Sequence, residues 1–240
     1  MTFAVALAIA AFIAGAIAAV SGFGIGSILT PLLALSVGVK IAVAAVSIPH
    51  VVGTALRFWT MRHRVDREVL KTFGVMSAAG GLAGALLQAW SSSPALRIVF
   101  SAILIFAGIM GIIGWSDRLR FGRRGAWIAG GVSGLLGGLI GNQGGIRAAA
   151  MLAFDVPKEA FVATATAVAL IVDFVRMPVY ALKEGRALLA IWPLIAIATT
   201  AVVIGTILGR TLLGRIPDKL FRRIVGALIL ALGVAMLIVR

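Results

Sequence analysis

The chain has no cysteine, one tyrosine, two histidines and only eight acidic residues among its 240. Without cysteine the chain itself can form no disulfide, no thiolate metal site and no sulfur nucleophile. Charge of either sign is scarce. Charged residues make up 12% of the sequence and apolar ones 61%, where a soluble domain runs near a quarter and near a half. There is no HExxH pair and no Walker sequence, which argues against zinc-dependent proteolysis and direct ATP hydrolysis. No cofactor and no metal is expected.

What is present is apolar sequence in long runs, with a mean hydropathy of +1.12. Such runs cannot all be hidden inside a soluble core of this size. They predict an all-α, polytopic helical membrane protein in which each backbone polar group is satisfied within its own helix. The runs fall at about 3–21, 25–38, 41–58, 70–90, 96–115, 126–140, 145–154, 159–181, 188–209 and 222–239. At 1.5 Å per residue about 20 residues cross a hydrocarbon layer of ~30 Å. The pattern therefore predicts about eight transmembrane helices, with 25–38 and 145–154 as short broken or re-entrant helices. Residues 3–21 lack a preceding Lys or Arg and resemble 126–141, so they are read as part of the mature fold and not as a signal peptide.

The net charge of +14 does not point to nucleic acid, because Lys and Arg gather in the short connectors between apolar runs. The lipid bilayer is the expected partner. A shift of 119 positions places Gly22 on Gly141, Gly26 on Gly145, Val37 on Val156 and Arg57 on Arg176. SSSPALRIVFSA likewise resembles GRIPDKLFRRIVGA once a few extra residues are allowed. The chain reads as one transmembrane domain, 1–240, made of two repeats at roughly 1–118 and 119–240. Most of the Lys and Arg residues share one side if each half crosses the membrane an odd number of times. By the positive-inside rule that implies inverted repeats, with both termini outside the cytoplasm and a multi-pass chain in the cytoplasmic (inner) membrane.

Two glycine clusters interrupt the apolar runs at matching places. SGFGIGS carries Gly22, Gly24 and Gly26, and GNQGGIRAAAML carries Gly144 and Gly145. The first lacks the final glycine of a dinucleotide fingerprint and no strand precedes it. Close helix packing explains glycine pairs such as Gly80 with Gly84 and Gly205 with Gly209. The two clusters suggest more. Broken backbone at membrane depth is tolerated where it lines a cavity, and its free amides can hold an anion.

Ionisable residues within these runs are the remaining signal. Arg147 follows the second cluster, with Asn142 and Gln143 as neighbouring amides. It either snorkels to an interface or binds an oxyanion with several oxygens. Asp173, Arg176 and Tyr180 share one helix face, as a structural ion pair or as a gating or substrate-binding group. His50 and Arg57 share a face of the equivalent helix in the first half, with Thr54 between them. His50 is a packing residue or a proton carrier, and Arg57 snorkels or meets substrate. Ser47 lies three residues before His50, but no supporting motif makes them a hydrolase pair.

With GFGIGSILTPLLAL, RHRVDREVLKTFGVMSAAGGLAGALL and the return of the pattern in the second half, the sequence resembles the TauE/SafE sulfite exporter family over nearly its whole length. Where many members carry a glycine run and a proline, this chain has GNQGGIRAAAML. It resembles a branch with GxQGxxR and a later VDxxR, matched by Gln143, Arg147, Val172, Asp173 and Arg176. The resemblance implies secondary transport of a small sulfur oxyanion, sulfite or an organosulfonate, by alternating access, and no enzymatic activity. The expected substrate-binding residues are Arg147, Gln143, Asn142, Arg176, Arg57, His50, Gly24, Gly26, Gly144 and Gly145, with Asp173 and Tyr180 structural or gating. Protons are candidate coupling ions and a homo-oligomer stays open. An anion channel or an intramembrane enzyme is the alternative.

Overall fold

The computed structural model describes residues 2–22, 24–91, 93–113, 123–141, 147, 151, 154, 157–213 and 218–238. Among them the chain is helical throughout. The helices are α1 (Thr2–Ser21), α2 (Ile25–Val37), α3 (Val39–Met61), α4 (Arg67–Trp90), α5 (Ser93–Ile113), α6 (Arg123–Ile140), α7 (Lys158–Ala190), α8 (Trp192–Leu213) and α9 (Asp218–Ile238). All but α2 have 18 residues or more. Thr2–Val20, Val39–Arg64, Arg67–Trp90, Glu159–Ala190 and Trp192–Gly209 are long and apolar enough to cross a membrane by length and composition together. The protein is an all-α polytopic membrane protein. The α2 helix has only 13 residues and carries Pro31, so it covers about 20 Å.

Helix ends follow local chemistry. Asp66 caps α4 by accepting hydrogen bonds from the amides of Glu68 and Val69. A π-type turn at Leu70–Gly74 then widens the same helix. Gly22 (φ +83) and Gly141 (φ +72) end α1 and α6 in the left-handed region, which glycine enters without strain. The α7 helix runs on to Ala190, well past the expected end near 181, and carries Gly185 inside it.

Three pairs of helices form the broadest interfaces: α1 with α8, α4 with α6, and α5 with α9. The first two are glycine-packed. A Cβ added to Gly205 would strike the carbonyl of Phe12, and one on Gly209 would strike Ala16. In α4 a Cβ on Gly80 would strike the carbonyl of Gly131, and one on Gly84 that of Leu135. Position 131 is 12 shifted by 119 and position 135 is 16 shifted by 119, so the two interfaces are built alike. Close approach of this kind is what small residues provide where lipid supplies no hydrophobic drive. Helices α3 and α7 cross in opposite directions, with His50 beside Asp173 and Arg57 beside Thr166.

The lipid-facing surface carries many exposed Leu, Ile and Val side chains. Trp59, Trp90, Trp127 and Trp192 are exposed at or near helix ends, the placement of aromatic residues at a membrane interface. The Arg62 guanidinium stacks on Trp59, 4.0 Å from the ring centroid.

Candidate functional site

The broken ends of the two halves meet inside the protein. A Cβ on Gly26, in the first turn of α2, would strike the carbonyl of Gly141 at the end of α6 and reach within 4.0 Å of His50 Cδ2. One on Gly141 would lie 3.1 Å from Thr30 Oγ1 and 3.9 Å from Arg176 Nη1. Gly24 (φ +132) precedes the same turn. The glycines at this junction thus permit two backbones and several side chains to converge.

Around the junction lie ionisable residues from α3, α7 and the segment of Arg147. Asp173 is fully buried and holds two partners from different halves. Its Oδ2 is 2.6 Å from His50 Nδ1, and its Oδ1 accepts from Arg176 Nε at 3.0 Å and Nη2 at 2.6 Å. Arg176 also donates through Nη1 to the carbonyl of Gly137, and Tyr180 Oη–H donates to the carbonyl of Gly138. Both therefore cap the C-terminal end of α6, where partial negative charge collects.

Arg57 does the same for the first half. Its Nη1 donates to the carbonyl of Ala18 at 2.6 Å and its Nη2 to that of Gly22 at 3.1 Å, while Nε reaches Thr166 Oγ1 across the halves at 3.1 Å. It does not snorkel to the surface, being only 7% exposed.

Arg147 differs from both. It is 4% exposed, and its Nη1 makes one long bond of 3.3 Å to the carbonyl of Ala165. Among the described residues its Nε and Nη2 have no hydrogen-bond partner. Those two groups share one edge of the planar guanidinium and point the same way, the fork that takes two oxygens of one anion. Leaving charged donors buried and unpaired costs at least ~1–3 kcal/mol per group. The acceptor of Arg147, the carbonyl of Ala165, belongs to the neighbour of Thr166, which takes Arg57. Among the described residues the buried ionised groups are thus three arginines and one aspartate, with His50 beside them. The interior carries excess positive charge.

A cleft of about 580 Å³ opens beside this cluster, lined by Leu56, Arg57, Thr60, Met61, Glu159 and Thr206 among others. Exposed Glu159 pairs with Arg64 from the connector between α3 and α4. The Asp66 amide donates to Thr164 Oγ1 at 2.9 Å, fixing that connector to the start of α7.

Of the residues expected from sequence, Gly26, His50, Arg57, Arg147, Asp173, Arg176 and Tyr180 fall in or next to this cluster. Asn142, Gln143, Gly144 and Gly145 lie outside the described residues. The sequence reading missed Thr30, whose buried hydroxyl has no partner among the described residues, and Thr166, which receives Arg57. It also missed the carbonyls of Ala18, Gly22, Gly137 and Gly138, which hold most of the donors. Threonine is common in membrane helices and carbonyls occur at every residue, so neither leaves a mark in a sequence.

A helical bundle with a buried, net cationic junction between two broken helix ends defines a membrane protein equipped to handle anions. The sequence model of the sulfite exporter TauE/SafE family matches residues 7–236, and the chain belongs to that family. It is accordingly a membrane transporter of the sulfur-anion exporter type. No curated protein and no solved structure matches it.

Proposed function

We propose that the protein is a secondary transporter carrying a small sulfur oxyanion, sulfite or an organosulfonate, across the cytoplasmic membrane by alternating access between two inverted halves. The observation that carries this reading is Arg147, buried with an open two-donor edge in a cluster of net positive charge. An oxyanion supplies the missing acceptors and lowers the local charge in one step. Arg176 is held by Asp173 and lends long-range attraction. Gln143, Asn142 and the amides around Gly24, Gly26, Gly144 and Gly145 complete the donor set.

His50 supplies the coupling. Its Nδ1 faces Asp173 Oδ2 at 2.6 Å, a contact along which a proton can pass between the two helices. A proton on His50 strengthens its hold on Asp173 and adds positive charge next to the anion. The inverted repeat is supported by the antiparallel crossing of α3 and α7, which are counterparts under the 119-residue shift, and by the matched interfaces of α1 with α8 and α6 with α4.

Calorimetric titration of the purified protein with methanesulfonate and with sulfite tests the site. Replacing Arg147 by Gln removes the charged fork and is expected to weaken binding at least about tenfold, the loss of one charged hydrogen bond or more. Lys at the same position keeps the charge but not the fork, and recovers only part of the affinity. Equal affinity in the wild type and Arg147→Gln would refute the assignment.

A further inference from the structure

Arg57 and Arg176 occupy the same place in the two halves and make the same bond. Arg57 Nη1 donates to the carbonyl of Ala18, and Arg176 Nη1 donates to that of Gly137, which is Ala18 shifted by 119 positions. What differs is the residue three positions earlier on the same helix face. Asp173 takes Arg176 Nε and Nη2 together. In the first half Thr54 stands at that position, and its buried hydroxyl has no partner among the described residues. The corresponding donors of Arg57 go to neutral oxygens instead, Thr166 Oγ1 and the carbonyl of Gly22.

We propose that Arg57 is the moving cation of the transport cycle: it exchanges its carbonyl and threonine partners for the anion as that anion passes between the cleft and Arg147, while Arg176 stays fixed. This rests on the anion-carrier function set out above. The chemistry favours exchange at one arginine only. A guanidinium facing an ionised acceptor gains the attraction of opposite charges in addition to the hydrogen bond, which a neutral oxygen cannot offer. An incoming oxyanion therefore outcompetes the neutral acceptors at Arg57, whereas at Arg176 it would have to displace a carboxylate.

Position agrees with this. Arg57 lines the cleft, and its partner Thr166 is the neighbour of Ala165, whose carbonyl accepts from Arg147. Its bond to Thr166 is the innermost of three ties between the end of α3 with its connector and the start of α7. The others are Asp66 amide to Thr164 and Arg64 with Glu159. When Arg57 turns to the anion, this tie opens, and α3 and α7 are then joined by the two outer ties and by His50 with Asp173 further in.

The test gives the first half the carboxylate that the second half has. Thr54→Asp pins Arg57 as Asp173 pins Arg176, and Thr54→Asn adds similar bulk without charge. In proteoliposomes taking up labelled methanesulfonate, Thr54→Asp is expected to lower the maximal rate at least about tenfold, with Thr54→Asn staying within about threefold of wild type. A loss confined to KM would mean that the added carboxylate only weakens attraction, and would overturn the proposal. So would a wild-type maximal rate in Thr54→Asp, or equal loss in both variants.

Should Thr54→Asp fail to assemble, Thr60→Cys in this cysteine-free chain places a single thiol in the same cleft. Its labelling by a membrane-impermeant maleimide is expected to change at least about threefold on saturation with methanesulfonate, as the neighbouring guanidinium changes partners. An unchanged rate would overturn the proposal. The titration of Arg147→Gln separates the two claims: lost binding there with normal transport in Thr54→Asp removes the moving cation and leaves the carrier standing.

Discussion

Three buried arginines sit near one aspartate, and their partners divide them by role. Arg176 has a carboxylate, Arg57 has backbone carbonyls and a threonine, and Arg147 has an open edge. Asp173 is the hinge of this arrangement because it compensates Arg176 and meets His50. Asp173→Asn leaves Arg176 as an uncompensated buried charge, and is expected to cost about 3–5 kcal/mol of stability, read as a lower melting temperature in detergent. Tyr180→Phe removes only one neutral donor to Gly138 and should cost about 1 kcal/mol. Comparable melting in the two variants would contradict the assigned roles. The ionisable residues were legible in the sequence because each interrupts an apolar run, where charge is costly and needs a reason. Which of them had free donors was not legible, since that depends on carbonyls contributed by other helices.

At the scale of helices, hydropathy marked nearly every described element to within a few residues, because length and apolar content must both satisfy the bilayer. Two features escaped. The charged continuation of α7 reads as a connector by hydropathy but is helical through Gly185. The π-type turn in α4 leaves no mark in the apolar periodicity. Glycine spacing did announce the close contacts. Gly84→Leu forces α4 away from the carbonyl of Leu135, and is expected to abolish stable assembly, seen as aggregation on size-exclusion chromatography. Gly185 has nothing within 4 Å of a Cβ and lies within α7, so Gly185→Ala is expected to be neutral or to stabilise by about 0.5–1 kcal/mol. Destabilisation by Gly185→Ala would show that contact alone does not set the cost.

For the whole molecule, the central relation is between the halves. The sequence shift pairs Gly22 with Gly141 and Arg57 with Arg176, and the structure gives the members of each pair matching conformations or bonds. Antiparallel counterparts need opposite membrane orientations of the two halves, which fits the basic connectors lying on one side. Reporter domains fused to either end are expected to be active only outside the cytoplasm. A cytoplasmic N-terminal reporter would contradict the inverted arrangement. The sequence could suggest a repeat, but not that Gly26 and Gly141 meet, because that contact joins residues more than a hundred positions apart. The most direct measurement is sulfite and methanesulfonate flux into proteoliposomes, with and without an imposed pH gradient, for the wild type, Arg147→Gln and His50→Gln. Saturable flux driven by the gradient in the wild type, abolished in Arg147→Gln and present but no longer gradient-driven in His50→Gln, is the expected result. Flux that does not saturate, or that survives in Arg147→Gln, would contradict a carrier centred on Arg147.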